Sequence, residues 1–322
     1  MIPLTEIRAA AERISGRIHR TPLFSTAALG HRAGSVRLFL KCESFQKTGS
    51  FKPRGALNRI LSLSPEERGR GLVTVSAGNH AQAVAWAARA AGAAATVVMP
   101  SDAPRTKVEA VRGYGAEIVF HDDRPTLFEK LDEVRAERGL TFVHPFDDAV
   151  VLAGAGTAGL EVMDELEPDL VVVPVGGGGL LGGVASAVKQ RNPRTRVAAV
   201  ELAEGPGLAP ALAAGRPVPV SRPHDTLADG LTPPFVGALP LEIAREAVDE
   251  VAGVTEEEII EAMALLTTRA KLYVEGAGAA ATAALIAGKV RAPSGAVVVA
   301  IVSGGNVDLS RVPRDVPSRA AL

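Results

Sequence analysis

The chain alternates short runs of β-branched residues with longer segments rich in alanine, leucine and charged side chains. This alternation is typical of strand–helix–strand units that build a parallel sheet. Runs such as VVVPV and AVVVAIV carry no charged or hydrogen-bonding side chain, which indicates burial beneath helices on both faces. We therefore predict an α/β protein. Its strands are expected at residues 36–41, 72–75, 95–99, 116–120, 141–143, 170–175, 196–200 and 296–302, and its helices include 81–91, 104–112, 126–138 and 180–190.

The domain organisation follows from two turn-rich segments, SLSPEERG and HPFDD, which bracket three compact strand–helix repeats. A length of 322 residues is typical of about two domains. We expect a large lobe built from residues 1–60 and 147–322 and a small lobe built from residues 61–146.

Composition excludes several classes of partner. With 35 Lys+Arg against 36 Asp+Glu, the net charge of -1 provides no basic surface for nucleic acid or anionic membranes. No apolar run approaches the roughly 20 residues of a membrane span, and the N-terminal segment resembles an amphipathic helix rather than a signal peptide. The single cysteine, Cys42, rules out an internal disulfide and is expected to be buried beside a strand. We expect a cytoplasmic protein that binds small molecules.

A glycine-rich segment, VVVPVGGGGLLGG, follows the strand that ends at Val175 and begins a helix near Leu180. Glycines allow the backbone to approach an anion closely, and a helix N-terminus offers unpaired N–H groups. The segment predicts a phosphate site formed by Gly176, Gly177, Gly178, Gly179 and Leu180.

Two kinds of phosphorylated cofactor fit this loop. Gly177, Gly179 and Gly182 match the G-x-G-x-x-G fingerprint of dinucleotide-binding proteins, and Glu201 follows where a ribose-binding acid belongs. This segment alone supports an NAD-dependent dehydrogenase. Because the fingerprint describes phosphate on a helix N-terminus, other phosphorylated cofactors remain possible.

A lysine in a confined turn favours a different cofactor. Lys52 closes the segment GSFK, between a predicted strand and a helix, beside Phe51. Most lysines are solvated surface charges, but desolvation lowers the pKa of an amine and makes it a nucleophile for an aldehyde.

Two further polar loops follow predicted strands. The loop SAGNH opens a helix; its N–H groups can bind a carboxylate, and Asn79 can bind a phenolate-like oxygen, although Asn79 can also serve as an ordinary helix cap. His80 is expected to be structural. The loop SGGN follows the last strand, where Ser303 can meet a ring nitrogen or simply form a turn. Since ligands gather at the carboxyl ends of parallel strands, we expect these loops to converge on one cleft.

Together, QKTGSFKPRGA, SAGNHAQ, GGGG and SGGN resemble, in the same order over nearly the whole chain, the serine/threonine dehydratase and serine racemase family. The resemblance implies the two-lobed type II fold of pyridoxal-phosphate enzymes, with a mostly parallel sheet covered by helices in each lobe. It implies a small lobe that moves to close over the substrate, and a homodimer. No C-terminal effector-binding domain is expected.

The resemblance also implies roles for individual residues. Lys52 would hold pyridoxal 5'-phosphate as a Schiff base and carry the α-proton. The other cofactor-binding residues would be Phe51, Asn79, Gly176, Gly177, Gly178, Gly179, Leu180, Gly230 and Ser303. The substrate carboxylate would be bound by the loop Ser76, Ala77, Gly78, Asn79 and His80.

The implied activity is α,β-elimination of L-threonine, L-serine or both to a 2-oxo acid and ammonia. Amino-acid racemisation and dehydration of 3-hydroxyaspartate are alternatives within the family, and NAD-dependent dehydrogenation is a remote one. Racemising relatives read Ser-Ser-Gly-Asn-His where this chain has Ala77, which cannot donate a proton. We therefore expect little racemisation.

Some relatives bind a divalent cation through a Glu, a carbonyl and an Asp. Here Glu201 matches the Glu and Gly205 the carbonyl, but Gly207 replaces the Asp, although Glu204 lies nearby. Loss of a carboxylate removes a ligand that hard cations favour. We expect no metal site and weak or no dependence on magnesium or calcium.

Overall fold

The computed structural model describes residues 1–221 and 226–313 and contains two sheets. The larger sheet has the strand order β1-β2-β10-β7-β8-β9, in which β1 and β2 are antiparallel and the other neighbours are parallel. Its strands are β1 (Leu23–Ser25), β2 (Arg37–Cys42), β7 (Leu170–Pro174), β8 (Arg196–Leu202), β9 (Glu250–Val254) and β10 (Val297–Val302).

The smaller sheet is parallel throughout and has the order β5-β4-β3-β6. Its strands are β3 (Leu72–Val75), β4 (Ala95–Pro100), β5 (Glu117–His121) and β6 (Thr141–Phe142). All four come from the segment that the sequence assigns to the small lobe.

Helices cover both sheets. They are α1 (Leu4–Ile14), α2 (Ala27–Arg32), α3 (Lys52–Ser62), α4 (Pro65–Gly69), α5 (Asn79–Ala90), α6 (Arg105–Gly113), α7 (Leu127–Arg138), α8 (Ala149–Glu165), α9 (Gly179–Arg191), α10 (Leu208–Ala214), α11 (Ala238–Ala247), α12 (Glu256–Leu265) and α13 (Gly276–Ile286). Short 3-10 turns cover Glu43–Phe45, Lys47–Gly49, Asp229–Leu231 and Leu309–Arg311, and a π-helix covers Leu266–Ala270.

The predicted α/β class is confirmed, and each predicted strand is present to within two residues at either end. The sequence did not predict β1 and β9, which are the two edges of the larger sheet. Both are short, and β9 is half-buried along most of its length and contains Gly253. Edge strands of this kind lack the continuous apolar run that made the central strands recognisable.

Small residues bring α3, α8 and α9 into close contact. A Cβ added to Gly154 of α8 would lie 2.4 Å from the carbonyl oxygen of Arg54, in α3. A Cβ on Gly183 of α9 would lie 2.4 Å from the carbonyl oxygen of Leu152. This packing fixes α3, whose first residue is Lys52, against the large sheet's helices.

A buried ionic cluster further anchors α3. The guanidinium of Arg54 donates to both carboxylate oxygens of Glu43, at 2.7 and 2.9 Å, and to those of Glu161, at 2.7 and 2.9 Å. Lys41 donates to the same Glu161 carboxylate at 2.5 Å. Arg54, Glu43 and Lys41 are completely buried. The two cations balance the two anions, as buried charges require.

Across the described ranges, the helices are all too short or too polar to cross a membrane. Cys42 is buried at the end of β2, as expected, and burial raises the pKa of its thiol to about 12. A thiol in this environment is unreactive.

Candidate active site

Lys52 begins α3 immediately after a tight turn. Gly49 has a φ of +75°, and a Cβ there would lie 2.5 Å from the side-chain oxygen of Asn306, so the turn requires glycine. The Nζ of Lys52 donates to the carbonyl of Pro145 at 2.8 Å and lies 5.1 Å from the centroid of the Phe51 ring. Burial lowers the pKa of Lys52 to about 8. The amine is thus partly uncharged near neutral pH, as a nucleophile for an aldehyde must be.

The glycine loop leads from β7 into α9. Gly178 is the N-cap, with a φ of +93°, and no side chain caps this helix. A Cβ on Gly177 would lie 2.3 Å from the ring of Phe146, and one on Gly178 would lie 2.5 Å from Pro240. Larger residues therefore do not fit, and the N–H groups of the first turn of α9 are left for an anion.

Asn79 is not the helix cap that one interpretation of the sequence suggested, because Gly78 is the N-cap of α5 and has no side chain. The Nδ2 of Asn79 donates to a carboxyl oxygen of Glu275 at 2.7 Å. Its Oδ1 accepts from Asn306 at 2.8 Å, and Asn306 also donates to the carbonyl of Thr48 at 2.6 Å. The Asn79 side chain thus joins α5 to the Lys52 turn and to the start of α13.

Glu275 is a site residue that the sequence analysis missed. It is buried, and burial, followed by the charge of Asp229, raises the pKa of Glu275 to about 8. At neutral pH this carboxyl is mostly protonated, which makes it a stable neutral partner for Asn79. A lone acid between the apolar residues of YVEGAGAA was the signal available in the sequence.

Ser303 directly follows β10 and contacts the Lys52 turn. Its hydroxyl donates to the carbonyl of Ala277 at 3.2 Å, and its own carbonyl accepts from the N–H of Phe51 at 3.0 Å. Ser50 and Gly304 form an antiparallel bridge next to this contact. The last strand and the Lys52 turn are therefore held together.

Gly230 lies between the glycine loop and α13. A Cβ on Gly230 would be 2.9 Å from Ala277, and a Cβ on Gly176 would be 2.9 Å from the carbonyl of Gly230. The four predicted loops and Gly230 thus converge at the carboxyl ends of the strands, as the sequence led us to expect.

The loop that begins at Ser76 leads into α5. The Oγ of Ser76 accepts from the N–H of Gly78 at 3.0 Å. The Nε2 of His80 lies 3.2 Å from the carbonyl of Val143, while its buried Nδ1 is not hydrogen-bonded. Burial, with a contribution from Lys52, lowers the pKa of His80 well below its ordinary value. The ring is therefore neutral.

The HPFDD segment, interpreted from sequence only as a boundary, lies beside Lys52. The Nδ1 of His144 accepts from the N–H of Phe146 at 3.2 Å and from that of Asp147 at 2.8 Å. The Asp147 carboxylate in turn accepts from two N–H groups at the start of α11 at 3.0 Å. These bonds fix the loop that presents the carbonyl of Pro145 to Lys52.

The carboxylate of Glu201 is hydrogen-bonded to backbone N–H groups. It accepts from the N–H groups of Gly207, Leu208 and Ala209 at 2.6–3.1 Å, capping α10. The described residues contain no cluster of three or more metal-ligating side chains. If Glu201 bound a ribose hydroxyl or a cation instead, the N–H groups at the start of α10 would lose their hydrogen-bond acceptor. This capping role argues against the dehydrogenase alternative.

We therefore expect chelation to leave activity nearly unchanged. Enzyme treated with a chelator and then supplied with magnesium or calcium should differ from untreated enzyme by less than about twofold, because Glu201 already serves as a cap. Activity that chelation eliminates and magnesium restores would contradict this expectation.

The residues fit pyridoxal phosphate. A partly neutral lysine suits the aldehyde, and a glycine-only loop at an uncapped helix N-terminus suits the phosphate. Asn79 has a second amide hydrogen for a phenolic oxygen. Ser303 carries a neutral hydroxyl whose single hydrogen, donated to Ala277 at 3.2 Å in this structure, would have to turn to reach a ring nitrogen.

Comparison with known proteins agrees with this geometry. The chain is 43% identical over 320 residues to a catabolic L-threonine dehydratase of Staphylococcus aureus, covering 97% of this chain and 91% of that protein. It superposes on a T.th. threonine deaminase with a TM-score of 0.89 and 43% identity, covering 95% of this chain and 99% of that one. Maize serine racemase gives a TM-score of 0.89 and 38% identity, over 95% and 94%.

A family model described as pyridoxal-phosphate dependent enzyme matches residues 14–304, which include every loop of the site. The chain belongs to the family of pyridoxal-phosphate-dependent enzymes.

Proposed function

We propose that the protein is an L-threonine/L-serine ammonia-lyase that releases a 2-oxo acid and ammonia by α,β-elimination. The observation that carries the proposal is the buried amine of Lys52, which donates to the carbonyl of Pro145 next to Phe146, whose ring lies against Gly177 of the glycine loop. The names of the dehydratase and deaminase relatives support this activity.

In this proposal the cofactor, when bound, withdraws electrons from the α-carbon of the substrate. Lys52 takes the α-proton, for which a pKa of about 8 is well matched. The loop 76–80 binds the substrate carboxylate through its N–H groups and orients the α-carbon toward Lys52. The β-hydroxyl takes up the proton that Lys52 has removed and leaves as water, and hydrolysis of the resulting unsaturated amino acid gives the 2-oxo acid and ammonia. Ser303, a neutral donor, leaves the ring nitrogen largely unprotonated, which favours prompt elimination.

The remaining cofactor contacts are proposed as follows. The N–H groups of the glycine loop and Leu180 would hold the phosphate, Phe51 would contact the cofactor ring, and Gly230 would allow a close backbone approach.

We further propose that residues 61–146 form a mobile lid. The contacts that join this segment to the rest of the chain include the pair Lys107–Asp229 and the rings of Phe128 and Phe235, which lie 5.9 Å apart. A lid that closes through such contacts excludes water from the reaction.

The proposed enzyme is cytoplasmic and a homodimer. An exposed aromatic pair supports the dimer: Phe24 of the edge strand β1 and Phe45 are 44% and 48% exposed, and their rings pack edge to face at 6.1 Å. Analytical ultracentrifugation would measure one species at twice the chain mass, and a monomer at micromolar concentration would refute the dimer.

The residue at position 77 is expected to determine whether L-serine is racemised or only eliminated. The Ala77→Ser variant should racemise L-serine at least about tenfold faster than the wild type, because a hydroxyl near the α-carbon can deliver a proton opposite Lys52. Chiral chromatography of the products measures this, and Ala77→Gly is the control that adds no donor. D-serine accumulating as fast as pyruvate in the wild type would overturn the assignment to elimination.

The proposed function is tested by a panel of amino acids. L-threonine and L-serine should release 2-oxo acid, and D-serine should not. A wild-type enzyme that bears cofactor but releases no 2-oxo acid from any hydroxy-amino acid would refute the proposal.

A further inference from the structure

An open groove lies where α7, β6, α4 and the last turn of α3 meet, and the proposed reaction does not use it. Its volume is about 620 Å³, and its described lining shares no residue with the site around Lys52. Charged side chains of both signs line it. We call it the α7 groove, and its charged residues are Arg59, Glu67, Arg70, Asp132 and Arg135.

Arg59 is the least exposed cation of the groove. Its side chain is 23% exposed, and its Nε lies 3.0 Å from a carboxylate oxygen of Asp148. The buried Nε–H is not aligned with that oxygen, and it makes no hydrogen bond within the part of the chain that the structure describes. A guanidinium carries several N–H donors, and leaving a buried one unsatisfied costs free energy. Arg59 therefore has donor capacity for an acceptor that enters the groove.

Two more guanidinium groups line the groove. Arg70 is half exposed and pairs at 3.6 Å with Glu66, outside the groove lining. Arg135 lies over the ring of Phe142 at 6.0 Å, and such stacking orients the planar guanidinium. Together with Arg59, these residues supply donors that suit a carboxylate, which can accept paired hydrogen bonds from an arginine.

The groove also contains acceptors. Asp132 is exposed and has no ion-pair partner among the described residues, although Arg135 follows it by one turn of α7. The same helix ends in the groove, because its C-cap, Gly139, is part of the lining and has a φ of +64°. The last carbonyls of a helix carry partial negative charge. Asp132 and the end of α7 therefore attract a cationic group such as an ammonium.

The mixture of charges indicates the class of ligand. Glu67 is already used, because its carboxylate accepts from the N–H of Ser64 at 2.7 Å in the capping box of α4. A simple anion would meet Asp132 and the end of α7, and a simple cation would meet three arginines. A zwitterion avoids both repulsions. Leu140 and Phe142, which are half-buried in the lining, provide apolar surface for its side chain.

We propose that the α7 groove binds a free amino acid with an apolar side chain, in its zwitterionic form and separately from the substrate at Lys52. Arg59 and Arg70 bind its carboxylate, and Asp132 and the end of α7 bind its ammonium group. The side chain packs on Phe142. The chain thus has a second amino-acid site that takes no part in the elimination.

The test is a calorimetric titration of the holoenzyme with N,N-dimethyl-L-leucine. This probe is a zwitterion with an apolar side chain, and its tertiary amine cannot condense with the aldehyde of the cofactor. We expect a single probe molecule to bind to each chain. 4-Methylpentanoate lacks the ammonium group and 3-methylbutylamine lacks the carboxylate, so each should bind at least about fivefold more weakly than the probe.

Variants locate the binding. Arg59→Gln should weaken binding of the probe by about tenfold, and Asp132→Asn, at an exposed position, by about threefold, since each removes a charged contact. Two matched controls should bind the probe as the wild type does. Glu137→Gln neutralises another exposed acid of α7, and Arg112→Gln removes an arginine that is stacked on Phe120 at 5.8 Å. Circular dichroism and cofactor absorbance report whether each variant is folded and loaded.

Three results would overturn the inference: a probe that does not bind, 4-methylpentanoate that binds as tightly as the probe, or an affinity that neither Arg59→Gln nor Asp132→Asn changes. The titrations involve no turnover, so any of these results leaves the proposed elimination standing. Conversely, an enzyme that binds the probe but releases no 2-oxo acid from any hydroxy-amino acid would refute the proposed function and retain the groove site.

Discussion

Replacement of Lys52 by alanine is expected to lower the rate of 2-oxo acid release by about 10³-fold or more, since a positioned acid–base group alone contributes roughly 10²–10⁴-fold. The variant also loses the nucleophile for the cofactor's aldehyde. The amine it removes is the one that donates to the carbonyl of Pro145, and its neighbours in the turn stay in place. Coupled assays of pyruvate and 2-oxobutanoate measure the loss.

The control for this experiment is Lys130→Ala, which removes a surface lysine that pairs with Glu133. Surface ion pairs contribute little, so this variant should retain wild-type activity. A Lys52→Ala enzyme that turns over at the wild-type rate would eliminate the proposed mechanism.

The second large effect is on stability. Arg54→Met should lower the free energy of unfolding by about 3–5 kcal/mol, because it leaves Glu43 and Glu161 buried with Lys41 as their cation. Urea unfolding monitored by circular dichroism measures this. The double variant Arg54→Met with Glu43→Gln should recover part of the loss, since it removes one unpaired charge; a double variant less stable than Arg54→Met alone would contradict the account.

The loss of stability caused by Arg54→Met should depend on pH, and the direction of that dependence follows from the pKa of Glu161. Burial acts to raise the pKa of Glu161, but Arg54 and Lys41 outweigh it and hold that pKa below its ordinary 4.5. A depressed folded-state pKa contributes stability above the unfolded value, and that stability is lost as the pH falls through the folded value. The difference between wild type and Arg54→Met should therefore shrink below about pH 4.5. A difference that grows in acid would show that another group controls the cluster.

The sequence predicted the central strands because their apolar runs are long and continuous. It predicted neither β1, with the three residues Leu23–Ser25, nor β9, whose pairing with β8 is imposed by the sheet rather than by its own composition. Propensity carries little information where tertiary pairing decides the conformation.

For the site, the sequence predicted the residues that lie in recognisable loops, such as Lys52 and Asn79. It did not predict Glu275, because the role of this residue depends on its contact with Asn79, which lies 196 residues earlier in the chain. It did not predict His144, because the neutral state of that ring results from burial in the folded protein. Arg54 lies within the Lys52 motif, but nothing in the sequence indicated that Glu161, 107 residues later, would pair with it.

The most direct test of the central claim is to identify the amino acid that bears the cofactor. Purified holoenzyme is reduced with borohydride, which makes the bond between lysine and cofactor permanent, and the digested protein is mapped by mass spectrometry. We predict that the added mass lies on Lys52, in the peptide that contains Gly49 and Phe51. A label on any other lysine, or a protein that retains no cofactor after reduction, would contradict it.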